Sequence, residues 1–288
     1  MSNTTVQALR RLVSKRAERH ETRRFVVEGP VSTAEAVGAG WTCLMQFVPE
    51  GSDARVDGAG PVQELADGVF DRIAPTTSPQ PPLTVVAMPE ECVAERLAQA
   101  SFVVVLDRLS DPGNLGTIMR SAEAAGADLV VLTPGSVDPY NPKVVRASAG
   151  AVFHVPVVTA TLDEVAAAGV ELVGTSSHGA ARRTVVAHDR TDLTGRVALV
   201  MGNEAAGLPD DWDDDRGPIR RWLTIPHRGR SESLNVAMAT TVLVFEAARQ
   251  RSATGGADPT GSPDSTGSPD PTGGTRAADA TARRPDDV

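Results

Sequence analysis

Three stretches of the chain concentrate side chains able to do chemistry. Residues 106–128, LDRLSDPGNLGTIMRSAEAAGAD, run a strand into Asp-Pro-Gly and then a helix predicted to begin near Asn114 or Leu115, with Arg120 about two turns inside it. Residues 197–211, VALVMGNEAAGLPDD, end a buried strand in Gly-Asn-Glu and turn again at Gly207. A carboxylate directly after a strand, here Glu204, lies where an α/β sheet presents ligand-facing groups. Residues 223–249, LTIPHRGRSESLNVAMATTVLVFEAAR, lead a strand into a basic glycine loop and open a long helix with Ser231 or Ser233 as candidate caps. None of the turns is a dinucleotide loop, because Gly113 and Gly116 do not fit GxGxxG, and no Gly-Lys-Ser/Thr forms a Walker loop. Taken singly the residues have plain readings: glycines turn chains, Asn114 and Ser233 cap helices, Glu204 is a solvated carboxylate and Arg120 a surface charge. Three strand ends that point the same way raise the functional reading.

The elements that must hold those strand ends follow from periodicity. From Phe102 onward, FVVVLD, ADLVVLTP, HVPVV, ELVGTS, VALVMG and RWLTIP alternate with the helical segments NLGTIMRSAEAAG, NPKVVRASAG, LDEVAAAG and SLNVAMATTVLVFEAARQ. That alternation predicts an α/β fold, a mostly parallel sheet covered on both faces over residues 101–250. Upstream, residues 1–90 read as a small α/β domain. It opens on one basic amphipathic helix over residues 6–19, with Val6, Leu9, Val13 and Ala17 on its apolar face. The strand FVVEG, the helix VSTAEAVGAG, the strand CLMQFVP, a helical VQELADGVFDRI and the strand LTVVAMP follow. The tail, residues 251–288, is dominated by Gly, Pro, Asp, Ser, Thr and Ala and predicts disorder.

Composition narrows the function classes. No apolar run approaches the roughly 20 residues of a bilayer helix, and the N-terminus lacks a secretory core, so the expected location is cytoplasmic. Cys43 and Cys92 have no metal-type spacing and the histidines stand singly, so neither a disulfide scaffold nor a metal site is expected. His227 reads as a loop residue and His154 as a core one. The formal charge of −9 averages over unlike segments. The first 30 residues carry Arg10, Arg11, Lys15, Arg16, Arg19, Arg23 and Arg24 against Glu18, Glu21 and Glu28, a basic end on an acidic chain.

In order and separation, DPGNLGTIMRSAEAAGAD, LVMGNEAAGLP and IPHRGRSESLNVAMATTVL resemble the three motifs of the SpoU (TrmH-like) RNA ribose 2'-O-methyltransferases. The resemblance covers about residues 101–249. Upstream, RFVVEG, TSPQPPLTVVAMP and the basic helix are similar to the L30e-like substrate-binding domain of ribosomal-RNA members. It implies a SPOUT-type parallel sheet with a C-terminal trefoil knot, an exception to the rule against knots, and a homodimer with its sites near the interface. It also implies S-adenosylmethionine held in the knot by the backbone around Leu199, Val200, Met201, Gly202, Gly207, Ile225 and Leu234. The catalytic rim it implies is Asn114, Arg120, Glu204, Ser233 and Asn235, with Arg120 as the base. A guanidinium is a poor base, so we read Arg120 as binding the target phosphate and stabilising the developing alkoxide, with proton acceptance left open. Glu204 would orient Arg120 or the ribose, and the neutral groups would shape a charge-poor pocket that tolerates a sulfonium. Two departures stand out: PQPP lacks the glycine common after Pro-Gln, and His227 takes a position where relatives usually carry an apolar residue.

The seven N-terminal cations, with Arg182, Arg183, Arg228 and Arg230, are candidate RNA phosphate contacts and imply salt-sensitive binding. Phe25, Trp41 and Phe47 read as core, which leaves recognition to RNA shape and splayed nucleotides. The resulting expectation is ribose methylation of RNA, 23S ribosomal RNA first and transfer RNA as the alternative. A non-catalytic RNA-binding or ribosome-assembly protein of the same fold is the other class, against which the five intact rim residues weigh. A dehydrogenase would need the glycine fingerprint that is missing.

Overall fold

The computed structural model describes residues 3–254 apart from 67, 177–183, 205, 210–211, 213–216 and 231–232. Arg182, Arg183, the candidate cap Ser231 and the tail from residue 255 therefore lie outside the described residues.

The chain opens with α1 (Asn3–Ser14) and α2 (Arg16–Thr22), then β1 (Arg24–Glu28), α3 (Pro30–Gly38), β2 (Cys43–Pro49), β3 (Val62–Leu65), α4 (Val69–Ile73) and β4 (Leu83–Ala87). These strands form a four-stranded sheet in the order β1-β4-β2-β3. β4 runs antiparallel to β1 and β2, and β3 runs parallel to β2. One face buries Val26, Phe47, Leu83 and Val85 against Leu9 and Leu12 of α1. The other turns Phe25, Val27 and Val86 into the core of the larger sheet.

After α5 (Val93–Gln99) come β5 (Phe102–Leu106), α6 (Pro112–Ala124), β6 (Leu129–Leu132), α7 (Pro142–Ala147), β7 (Val157–Thr159), α8 (Leu162–Ala167), β8 (Glu171–Thr175), β9 (Val185–Ala187), β10 (Val197–Met201), β11 (Arg221–Thr224) and α9 (Val236–Thr254). The seven strands lie in the order β7-β6-β5-β10-β8-β11-β9, and every pair is parallel. β5, β6 and β10 are buried along their whole length, as a sheet covered on both faces requires. On one face Val104, Leu106, Val130, Leu132, Leu199 and Met201 pack with α6 and α9, and on the other Val103, Val105, Val131, Ala198 and Val200 pack with α5 and α8. Among the described residues no helix is long and apolar enough to cross a membrane.

Several local expectations are corrected. The single N-terminal helix is two, because Lys15 is extended at φ −119° and ψ 119°. The predicted helix over VQELADGVFDRI is a strand followed by a short helix: the first half pairs in register with β2, and Gly68 at φ 64° separates the halves. Here a sheet edge overrides helical periodicity. α5 and β9 were not predicted. His154 is not a core residue; it is exposed and its Nε2 lies 2.6 Å from Oε1 of Glu35 in α3. Phe25 and Phe47 are buried and Trp41 packs against the core, as expected, and Phe25 and Trp41 meet Phe153, which was not foreseen, with ring centroids 5.3–6.4 Å apart.

Candidate active site

From β5 the chain moves outward to β6 and β7, then returns on the opposite side to β8, and β10 fills the gap between β5 and β8. The strand order thus reverses at the β5/β10 boundary, and crevices outside the carboxyl ends of strands at such a point are where parallel sheets bind ligands. The two strand ends are knitted by Asp107 N–H, which donates to the Met201 carbonyl at 2.9 Å. A cavity of about 540 Å³ opens beside them, at the ends of β8, β10 and β11 and the start of α9.

Of the predicted cofactor residues, Met201, Gly202, Gly207, Ile225 and Leu234 line this cavity. Leu199 and Val200 do not; they are fully buried inside β10, one on each face of the sheet. Thr175, Leu208, Thr224 and His227 also line it and were not foreseen as such; of the four, Thr175 alone lies outside the three chemistry-bearing stretches. Gly202 is the tightest point. A Cβ there would sit 2.4 Å from the Gly207 carbonyl carbon, so any larger residue would push the two backbone segments apart. Gly207, at φ 67°, donates its N–H to the Asn203 carbonyl at 2.9 Å and closes the turn. At Gly202 and Gly207 the wall is therefore main chain, with apolar Met201, Leu208, Ile225 and Leu234 and polar Thr175, Thr224 and His227 around it.

Glu204 stands at the cavity rim and is held by donors from the β5–α6 connection. Its Oε1 accepts from Asp111 N–H and Asn114 Nδ2, each at 3.2 Å, and its Oε2 accepts from the Ser110 hydroxyl at 3.2 Å. Partial desolvation pushes the Glu204 carboxyl up, but hydrogen bonds from its own N–H, the Asn114 amide and the Asp111 and Ser110 N–H groups outweigh it and hold it below the usual glutamate range. Asn114 in turn accepts from Asn235 Nδ2 at 3.1 Å. Asn235 Oδ1 accepts from Ala237 N–H at 2.9 Å and Met238 N–H at 3.3 Å, so Asn235 is the residue that caps α9. Ser233 was a candidate for that cap and instead lines the cavity. Likewise Asp111, not Asn114, caps α6, accepting from Asn114 N–H at 2.7 Å. Asp before Pro at the first helical position was the available signal. With the capping done elsewhere, the Asn114 amide is free to join Glu204 to Asn235.

Arg120 is not part of this network. It lies exposed on α6 in a neighbouring groove with Thr117, Glu35, His154 and Phe245, and it makes no hydrogen bond or ion pair among the described residues. Glu204 therefore does not orient it within one chain. On the same side, α9 leaves Met238 65%, Val242 40% and Phe245 48% exposed.

Among the N-terminal cations, Arg10, Arg11, Lys15, Arg16, Arg23 and Arg24 are exposed. Arg19 is a correction: it is 3% exposed, with Nη2 2.7 Å from Asp138 Oδ2 and Nη1 donating to the Leu12 carbonyl at 2.9 Å. Its charge serves the last turn of α1 and a buried carboxylate, so it has no surface to offer RNA.

The comparisons with known proteins agree with one another. The sequence model of the SpoU rRNA Methylase family matches residues 101–245, and that of the MRM3-like substrate binding domain matches residues 3–84. The chain is 34% identical over 252 residues to the 23S rRNA (guanosine(2553)-2'-O)-methyltransferase RlmP of Bacillus subtilis (strain 168), covering 84% of this chain and 95% of that one. It is 33% identical over 268 residues to the 23S rRNA (uridine(2479)-2'-O)-methyltransferase of Streptomyces viridochromogenes, covering 86% and 91%. Among solved structures it resembles the SpoU methyltransferase AviRb from Streptomyces viridochromogenes in complex with the cofactor AdoMet, with a TM-score of 0.75 and 30% identity over 87% of this chain and 98% of that one.

Proposed function

The chain belongs to the SpoU rRNA methylase family, and from that premise we propose that it transfers a methyl group from S-adenosylmethionine to a ribose 2'-hydroxyl of 23S ribosomal RNA. The observation that carries the reading is the juxtaposition at the β5/β10 switch point: a cavity walled in part by the Gly202 and Gly207 main chain, directly beside the Glu204–Asn114–Asn235 network. The donor fits this cavity on three counts. Its volume of about 540 Å³ falls within the roughly 300–1,000 Å³ typical of cofactor sites. The Gly202–Gly207 contact leaves main chain at the wall, where a nucleoside can lie close. The carboxylate at the rim, kept ionised by its donors, favours a cationic ligand.

Met201, Gly202, Gly207, Ile225 and Leu234 would hold S-adenosylmethionine, which supplies an electrophilic methyl group when bound. The chain's own residues supply the aim. Glu204 fixes the Asn114 side chain and Asn235 fixes it from the other end, so the rim amides present set donors and acceptors to a ribose, a pre-organised arrangement that spares reorganisation at the moment of reaction. Ser233 adds a hydroxyl at the same edge. Arg120, a permanent cation, binds the target phosphate and stabilises the developing alkoxide.

Arg120 reaches the rim through assembly in this reading. The apolar face of α9 at Met238, Val242 and Phe245 takes a second copy of the chain, and Arg120, beside Phe245, then lies at the subunit boundary. The segment that follows β10 forms the trefoil knot. Residues 1–90 form the L30e-like substrate-binding domain, residues 101–250 the methyltransferase domain, and the enzyme acts in the cytoplasm, where ribosomal RNA is processed. The test is transfer of labelled methyl from S-adenosylmethionine to 23S ribosomal RNA, with transfer RNA as the comparison and nuclease mapping of the labelled ribose. Label on 23S RNA that Arg120→Ala abolishes, with donor affinity unchanged, is the expected result. Label on transfer RNA alone overturns the substrate, and no label with no donor uptake overturns the activity.

A further inference from the structure

At the carboxyl end of the interior strand β5 stands an exposed cation with no role in the chemistry above. Arg108 follows the end of β5, and at φ 49° it is one of three non-glycine residues with positive φ among the described residues. A residue with a side chain stays in the left-handed region only where its surroundings over-determine it, and here three anchors do so. Its N–H donates to Thr133 Oγ1 at 2.9 Å, its carbonyl accepts from Asn203 Nδ2 at 2.8 Å, and its Nε donates to Asp107 Oδ2 at 2.9 Å. Asp107 is itself buried, and its other oxygen accepts from the Thr133 hydroxyl at 2.9 Å. The guanidinium is thus aimed by a fixed carboxylate, its side chain is 51% exposed, and its two Nη groups make no hydrogen bond among the described residues.

The place of Arg108 gives this cation a use. It stands on the wall of a groove of about 660 Å³ at the carboxyl ends of β5 and β6, with Pro134 and Trp212 as apolar walls and Asp163, in addition to Asp107, as the further carboxylate among the described residues. On one side, Asn203, which holds the Arg108 carbonyl, lines the donor cavity. On the other, the loop after β6 leads from Thr133 to the Ser136 carbonyl, which accepts from Arg16 Nη1 of α2 at 3.0 Å. Arg108 therefore lies between the exposed cations of the N-terminal helices and the rim of the donor cavity.

We propose that Arg108 is an RNA-binding residue, whose two Nη groups hold in this groove a phosphodiester of the strand that adjoins the methylated ribose. The inference rests on the RNA-methylation reading and deepens it. A guanidinium with Nε committed still offers a planar pair of donors that matches two phosphate oxygens, and the strained, thrice-anchored backbone sets that pair before the RNA arrives. Contact at this point would let a strand gripped by α1 and α2 run on to the rim without a gap in its charge neutralisation.

The test uses the full-length protein and a 23S ribosomal RNA transcript, with equilibrium binding measured across a salt series. Arg108→Gln keeps an amide donor for Asp107 and removes the charge. It is expected to weaken RNA binding about tenfold, the scale of one charge-assisted contact, and to reduce the log–log salt slope by about 0.7–0.9. S-adenosylmethionine affinity by calorimetry and the melting temperature should match the wild type. Arg108→Lys should restore the salt slope but not the full affinity. Wild-type affinity and slope in Arg108→Gln would overturn the proposal while leaving the methylation reading intact, whereas a wild-type protein that neither binds nor methylates the transcript sinks both. Should Arg108→Gln not fold, the Asp107→Asn/Arg108→Gly pair carries the same readout, since it removes the orphaned carboxylate and puts glycine at the left-handed position.

Discussion

The cavity at the end of β10 and the helices at the N-terminus use charge in opposite ways. At the cavity the one rim carboxylate among the described residues, Glu204, is spent on neutral donors from Ser110, Asp111 and Asn114, and the Gly202 and Gly207 main chains leave no room for a Cβ between them. In α1 and α2 the cations stand in solvent, with the exception of Arg19, which is buried against Asp138. Shape governs the first region and screened Coulomb attraction the second. Arg16 and Arg19 share one short helix and both reach the loop after β6, yet Arg16 does so from an exposed position, through the Ser136 carbonyl, and Arg19 from a buried one, through the Asp138 carboxylate. Residue type alone therefore does not decide which regime a charge belongs to; burial does.

The largest effect expected is at that exception. Arg19→Ala leaves Asp138 buried with half-exposed His20 and the Tyr140 N–H as its partners and should cost about 3–5 kcal/mol of unfolding free energy, the usual penalty for removing one side of a buried ion pair, measured by denaturant titration. A loss below about 1 kcal/mol would put Arg19 back among the surface cations and erase the contrast within α2. Next comes Gly202→Ala. Forcing a Cβ to 2.4 Å from the Gly207 backbone should cost about 1–3 kcal/mol, read as a roughly ten- to hundredfold loss of S-adenosylmethionine affinity in calorimetry, with RNA binding in the absence of donor unchanged. Replacing Arg10 and Lys15 together by Ala should move stability by no more than about 0.5 kcal/mol while lowering the salt slope of RNA binding by about 1.4–1.8. A slope that does not change would remove α1 and α2 from the RNA surface.

The smallest effect concerns pH. Because Glu204 titrates below its ordinary value in the folded protein, its contribution is complete above the unfolded glutamate value of about 4.3 and is lost as pH falls through the lower folded value. Donor affinity should therefore hold from neutrality into the mildly acid range and decline below it. Glu204→Gln, which offers an amide to donors that want an acceptor, should be weak at every pH and lack that acid limb.

Much of the site was legible before any coordinates. A strand that stops in Gly-Asn-Glu and a helix opened by Asp-Pro are local signals, and local signals placed Gly202, Glu204 and Asn114 at strand ends that do meet. The same reasoning overran in β10, where Leu199 and Val200 belong to the strand interior: alternation along a buried strand sends successive side chains into opposite cores, not toward a ligand at its end. It also merged α1 with α2 and made a helix of β3, because a segment's own periodicity carries no information about the neighbour that will pair with it. His154 was misplaced for that reason, since its partner Glu35 sits in a different layer.

The sequence by itself determined the parallel α/β layering, the three motif segments, the basic N-terminus and the family, all of which are written in runs of adjacent residues. Only the tertiary structure decided that Asn114 bridges Glu204 and Asn235, that Arg19 is a structural ion pair, that Arg120 faces a separate groove, and that Arg108 is anchored through its backbone and Nε by Thr133, Asn203 and Asp107. Each of these depends on groups brought together from distant parts of the chain, and burial and hydrogen-bond partnership are properties of the packed surroundings rather than of the residue.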